Sequence, residues 1–182
     1  MYVLLHSANL LRYIIVVMDT NPISLPSPLY DLGFYSIPLS PSLLSIPERI
    51  LAFADKTEFK QKIEVHLTLI SQKALDQTGA VGFIEEIDDV IGDITEWEMT
   101  PKNKFYLMAK KGSDGSIKES IIQMVHFPAM EEFYEMLRKE KIIAENSPTP
   151  PPHITLFTKF DDNGISINSQ DDFDDYIIRQ IY

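Results

Sequence analysis

Two stretches decide how this chain is read: Ile63-Glu64-Val65-His66-Leu67-Thr68-Leu69-Ile70 and Pro152-His153-Ile154-Thr155-Leu156-Phe157. Each holds the phrase His-apolar-Thr-apolar inside a run rich in strand-forming residues. Side chains alternate between the faces of a strand, so residues two apart project together. His66 and Thr68 therefore share one surface, and His153 and Thr155 share another, while Leu67 and Ile154 point to the opposite side. Side by side, two such strands make a site with two imidazoles and two hydroxyl donors. A strand His beside an ordinary β-forming Thr explains either phrase alone, but not the pair as well.

The rest of the chain is organised around the same two strands. A strand over 32–39 is ended by Pro38, and a helix over 40–55 follows, with Pro47 either kinking it or marking its true first turn. The first His strand, 62–70, comes next. Ile84, Ile87, Val90 and Ile91 share a face of a helix over 81–91. Strands are expected over 95–99 and 105–110, joined by a turn at Pro101-Lys102-Asn103. The turn Gly112-Ser113-Asp114-Gly115 then leads into a strand over 117–127. The clearest helix is 128–141, with Met130, Phe133, Met136 and Leu137 on its apolar face. A stiff, proline-rich segment then runs into His153, where ladder pairing can begin. A turn at 162–164, a short strand over 165–168 and a helix capped by Ser169 and burying Phe173, Ile177, Ile178 and Ile181 complete the order.

This order contains a loose repeat. A strand ending near Pro38 and a strand ending near Pro128 are each followed by a helix and then by a His strand. Two strand–helix–strand units related by a pseudo-twofold would bring their final strands together in one groove. The fold class this order points to is α/β (α+β), built of duplicated strand–helix–strand units. The domain boundaries expected are an N-terminal extension over 1–28 and a single two-lobed domain over 29–182.

Composition narrows the function. The 182 residues are enough to bury one good core. There is no Cys, which excludes disulfides, thiolate metal sites and a Cys nucleophile. A net charge of −11 opposes tight binding of long nucleic acid, which relies on Lys and Arg at the phosphates. It leaves room for a small phosphorylated substrate. The acidic clusters Glu85 to Asp89 and Asp171 to Asp175 read as solvated faces and a helix start rather than as a metal site. The residues 1–17 are apolar but interrupted by His6, Ser7, Asn9 and Arg12, with no uncharged run long enough to span a bilayer. They are expected to be an extension upstream of a true start at Met18, with a poorly cleaved signal sequence as the lesser option. No membrane partner is expected, and a cytoplasmic location is.

Free imidazole titrates near neutrality, so one His can accept a proton while its neighbour holds one. On opposite sides of a phosphorus, such a pair can run an in-line displacement. One removes a proton from the attacking oxygen and the other protonates the departing ribose oxygen. Thr68 and Thr155 would donate to the non-bridging oxygens, where charge grows. Two neutral-pH acid/base groups already serve both ends, so no metal and no cofactor is expected.

At this point the chain resembles the 2H phosphoesterase superfamily, named for two His-x-Thr/Ser-x motifs ending in a hydrophobic residue. His66, Thr68, His153 and Thr155 match both motifs without departure, and the resemblance runs from about Leu32 to Tyr182. It implies a bilobal fold with two antiparallel sheets around a central groove, and metal-independent chemistry on cyclic or 2′–5′ phosphodiester bonds of RNA ends or nucleotides. It implies His66 and His153 as catalytic residues, Thr68 and Thr155 as phosphate-binding residues, and either a cyclic phosphodiesterase or an enzyme of the RNA 2′–5′ ligase type. The expected partner is a small phosphodiester or nucleotide, including an RNA end, met by a monomer. A nucleotide-binding module without turnover is the reading from another class.

Other residues carry less. His126 reads as structural, and His6 falls in the doubtful leader. Trp97, Tyr106 and Phe157 are more readily core residues than base-stacking platforms. Lys102, Lys104, Lys110 and Lys111 form a modest basic cluster on an expected hairpin.

Overall fold

The computed structural model describes residues 21–31, 33–160 and 162–181. Expectations for residues 1–20, including His6 and the start at Met18, lie outside the described residues.

Among the described residues, fourteen strands and α-helices follow one another: β1 Ile23–Ser24, β2 Leu29–Asp31, β3 Phe34–Leu39, α1 Glu48–Lys56, β4 Lys60–Gln61, β5 Val65–Ile70, α2 Gln72–Thr78, α3 Ile84–Asp93, β6 Glu98–Lys111, β7 Ile117–His126, α4 Pro128–Lys139, β8 His153–Lys159, α5 Gln170–Tyr176 and β9 Ile177–Gln180. The strands pair antiparallel throughout, in the order β1-β6-β7-β8-β5-β3-β2, with β4 added to β8 and β9 added to β6. The fold is thus mixed α+β, five helices with a curled antiparallel sheet that forms a half-barrel. No helix among the described residues is long and apolar enough to cross a membrane.

Strand alternation divides the sheet into two unlike faces. Ile37, Leu67, Leu69, Ile121, Val125, Ile154 and Leu156 point into the main core, against Ile50, Ile87, Val90, Phe133 and Leu137 from the helices. Burying each of these large aliphatic side chains contributes about 1.5–3 kcal/mol relative to exposure. The other face carries a smaller cluster of Met108, Ile122, Ile165, Ile167 and Phe173. The neighbours Ile121 and Ile122 thus serve different cores, as adjacent strand residues must. Two tyrosines tie helices to strands: Tyr134 of α4 donates to the Leu69 carbonyl at 3.1 Å, and Tyr35 of β3 donates to Asp88 of α3 at 2.9 Å.

Several boundaries differ from those read in the sequence. The expected helix over 40–55 is a short 3-10 turn at Pro41–Leu43 followed by α1, whose first turn begins right after Pro47. Proline is tolerated there because the missing N–H has no intrahelical partner in any case. Pro38 lies inside β3, not at its end. Its register partner is His66 of β5, while β2 covers only Phe34 to Ser36 on the other side, so Pro38 sits beyond the last pair with β2. The first His strand starts at Val65, with Lys60–Gln61 making a separate short strand.

The two strands expected on either side of Pro101 are one long strand, β6, with an irregularity in register between Pro101 and Phe105. A bulge, not a turn, absorbs the proline. Helix α2 was not anticipated. It is seven residues long, buries only Leu75 and is capped by Ser71, whose Oγ accepts from the Ala74 N–H. The segment expected as a strand over 165–168 is irregular, although Ile165 and Ile167 are buried. The last helix ends at Tyr176, and Ile177–Gln180 forms β9 against the free edge of β6. The β-branched pair Ile177-Ile178 favours that extended form. Within the segment set apart as an N-terminal extension, Ile23–Ser24 pairs with β6 and Leu25 is buried in the core.

Candidate active site

The site is built where β5 and β8 meet. Leu67 and Ile154 are register partners, both with no solvent exposure. One step either way along antiparallel strands sets His66 across from Thr155 and Thr68 across from His153. The four form a square with the imidazoles on one diagonal and the hydroxyls on the other. All four are half-buried, in contrast to the fully buried Leu67, Leu69, Ile154 and Leu156 that alternate with them. Directly opposed residues on neighbouring strands are near enough for their side chains to interact.

β8 holds its pair in this orientation through a register shift. Thr155 is matched to Ile122 and Phe157 to Ile121, so one residue of β8 is extra. The bulge lets His153 and Thr155 face one way while Leu156 and Phe157 both stay in the main core.

His153 is fixed by its own chain. Its Nδ1 donates to the Pro151 carbonyl at 2.9 Å, because a carbonyl only accepts. Nε2 is therefore the nitrogen that exchanges protons. Burial pushes the His153 pKa below the usual imidazole value, the Pro151 hydrogen bond opposes that, and the field of His66 adds to the lowering. That influence follows from the strand pairing that sets His66 and His153 on adjacent strands.

His66 is held below the usual imidazole range chiefly by burial, then by the Lys62 ammonium, with Glu64 acting the other way. The Phe34 ring packs against it at 5.5 Å between centroids, tilted by 49°. Ser36 of β3 is the register partner of Thr68, so its hydroxyl joins the same face.

Sequence reasoning missed the residues that frame this square. Lys62 donates to the backbone carbonyl of Asp162 at 3.1 Å and brings a positive charge toward His66. Its position four before His66, outside the strand, carries no signal of that. Gly164 lies directly against Thr155: a Cβ there would meet Thr155 Oγ1 at 2.9 Å and Cγ2 at 3.1 Å. The sequence marks Gly164 as a turn residue, whereas its use is a close approach. Pro151 was read as a stiffener, and its carbonyl orients the imidazole.

The remaining candidates fall elsewhere. Trp97 and Phe157 are buried in the main core, with Trp97 against Phe127 at 6.0 Å. Tyr106 packs edge-on against Phe173 at 5.2 Å in the smaller cluster. The basic residues do not gather: Lys110 lies over the Tyr176 ring at 4.5 Å, and eight strand residues, roughly 25 Å of rise, separate it from Lys102. His126 is exposed at the end of β7, opposite Thr100. Among the described residues no three His, Cys, Asp or Glu side chains group as a set of metal ligands.

Comparison of the chain with models of protein families, with curated proteins and with solved structures found no match.

Proposed function

We infer that this protein is a metal-independent phosphodiesterase acting on a 2′,3′-cyclic or related small phosphodiester of an RNA end or nucleotide. The observation that carries this reading is the Leu67–Ile154 pair, which sets two His/Thr pairs on one face of adjacent strands. Two imidazoles set diagonally across adjacent strands are suited to sharing a single proton, one charged and one neutral, across a phosphorus.

Hydrolysis in this reading takes one water and no other reactant. The water oxygen forms a bond to phosphorus and gives a proton to the neutral imidazole. The bond from phosphorus to one ribose oxygen breaks, and the protonated imidazole supplies a proton to that oxygen. The product is a phosphomonoester, and a proton exchange between the rings or with solvent resets the pair. Thr68 and Thr155 stabilise the charge on the non-bridging oxygens, and the Lys62 ammonium, whose field reaches His66, adds to them.

The chain order supports reading the fold as two related lobes. β3, α1 and β5 make one strand–helix–strand unit, and β7, α4 and β8 make another. The sheet order β7-β8-β5-β3 puts the last strand of each unit at the centre. The groove along that junction is the substrate site in this reading.

The test is a panel of nucleoside 2′,3′-cyclic phosphates and 2′–5′ dinucleotides, assayed with EDTA present. Turnover that resists EDTA and is lost in His66→Ala and His153→Ala is the expected result. Saturable nucleotide binding without turnover would replace the enzyme by a binding module. Steeply salt-dependent binding of longer RNA would favour end processing, which the net charge of −11 disfavours.

A further inference from the structure

A cavity of about 430 Å³ opens between the end of β7 and the segment that leads into β8, walled by Lys102, Met124, Val125, His126, Glu131, Thr149, the prolines 150–152 and Gln170, among others. Its volume falls within the range of small-molecule sites, roughly 300–1,000 Å³. It is joined to the candidate site in two ways. Pro151, whose carbonyl accepts from His153, and Pro152, which precedes His153 in the chain, both line it. Met124, which also lines it, is the register partner of His153, and directly opposed residues present their side chains to the same face. The cavity thus reaches the residue before His153 and the residue opposite it in the sheet.

The lining matches one part of a phosphodiester substrate better than others. Met124 and the three prolines give flat, apolar walls, which suit a planar ring and a sugar. Thr149 and Gln170 add a hydroxyl and an amide, which both donate and accept. Lys102 and His126 lie exposed at the rim, with Glu131, which is paired to Arg138 at 3.3 Å. We propose that this cavity is the nucleoside subsite: it receives the base and sugar of the substrate and sets the reacting phosphorus over the His66–His153 diagonal. This rests on the phosphodiesterase reading, and it assigns specificity to residues outside the two motifs. Remote contacts of this kind position a reacting group and can raise turnover as well as affinity.

The test uses two cavity-filling variants, Gln170→Trp and Thr149→Trp, which reach the space from different segments and leave the His and Thr residues of the square untouched. Nucleoside 2′,3′-cyclic phosphates are compared with glycerol 1,2-cyclic phosphate, which has the same cyclic diester and no nucleoside. The wild type should prefer the nucleoside substrates by about tenfold or more in kcat/KM, and each variant should raise their KM by about tenfold. Activity on the glycerol diester should stay within about twofold of wild type in both variants. A wild type without preference, a preference that survives both substitutions, or an equal fall on both substrate types would overturn the subsite.

If the wild type hydrolyses none of these diesters, the phosphodiesterase reading falls, and calorimetric titration with adenosine 3′-monophosphate judges the cavity separately. Saturable binding lost in both variants supports the subsite; no binding, or binding unchanged by them, overturns it.

Discussion

His153 Nδ1 donates to the carbonyl of Pro151 at 2.9 Å, two residues back along the same chain. The bond needs a stiff, extended approach to the strand, and the prolines at 150–152 provide it. It fixes which nitrogen carries a proton in the neutral ring and leaves Nε2 for exchange. The orienting group of this imidazole is therefore a backbone atom rather than a carboxylate, and no side-chain substitution removes it.

Replacing either imidazole by Ala should lower kcat by about 10²–10⁴ while leaving the fold intact, because each proton transfer is worth roughly that much. Circular dichroism with steady-state kinetics on a cyclic phosphodiester checks both parts. Near-normal turnover in either variant would remove the paired mechanism.

The pH–rate profile should be a bell with its maximum on the acid side of the ordinary imidazole value. In the proposed mechanism the active form has one ring charged and one neutral, so the maximum lies between the two pKa values of the pair. Burial lowers both His66 and His153. A lowered pKa keeps a ring neutral further into the acid range, so the protonated partner becomes scarce first as pH rises. A maximum in kcat/KM above the usual imidazole value would contradict this environment.

Lys62→Met should do two separable things. Removing the ammonium takes away one of the influences that hold His66 down, so the His66 limb of the profile moves to higher pH. Loss of a cation near the proposed phosphate site should raise KM by about tenfold, a typical value for one charge-assisted contact. An unchanged profile together with an unchanged KM would place Lys62 outside the site's electrostatics.

Gly164→Ala should impair turnover without unfolding the protein. The new methyl would lie 2.9 Å from Thr155 Oγ1, so the hydroxyl or the loop must move. Misplacing a donor aimed at developing charge costs about 10²-fold in kcat. Gly164→Ser should be at least as harmful. Wild-type kcat in the Ala variant would show that Thr155 has room to yield.

Tyr134→Phe should destabilise the fold by about 1–2 kcal/mol, since it removes a buried hydrogen bond to the Leu69 carbonyl on the His66 strand. In a chain of this size that corresponds to a fall in Tm of about 2–8 °C. Thermal melts measure it, and unchanged kcat at low temperature would separate the packing effect from catalysis.

Periodicity made the strongly patterned elements readable. The apolar stripe of Met130, Phe133 and Leu137 marked α4, and its observed span, Pro128–Lys139, differs from expectation only at its C-terminal end. The alternation around Leu67 and Ile154 marked β5 and β8. Short-range ambiguity defeated the reading elsewhere. Pro101 looks like a turn in sequence, and only a pairing partner in β7 lets the strand continue past it with a bulge. Ile177-Ile178 can extend a helix or a strand, and the unpaired edge of β6 decides for the strand.

Residue identity and spacing by themselves determined which side chains share a face: His66 with Thr68, and His153 with Thr155, each opposite a buried aliphatic partner. They determined this because alternation is a local property of an extended backbone. Only the tertiary structure decided that the two faces are one face, through the Leu67–Ile154 pair. It also brought Lys62, Gly164 and the Pro151 carbonyl to that face. Strand order and loop closure join residues far apart in the chain, and no local pattern encodes which strands become neighbours.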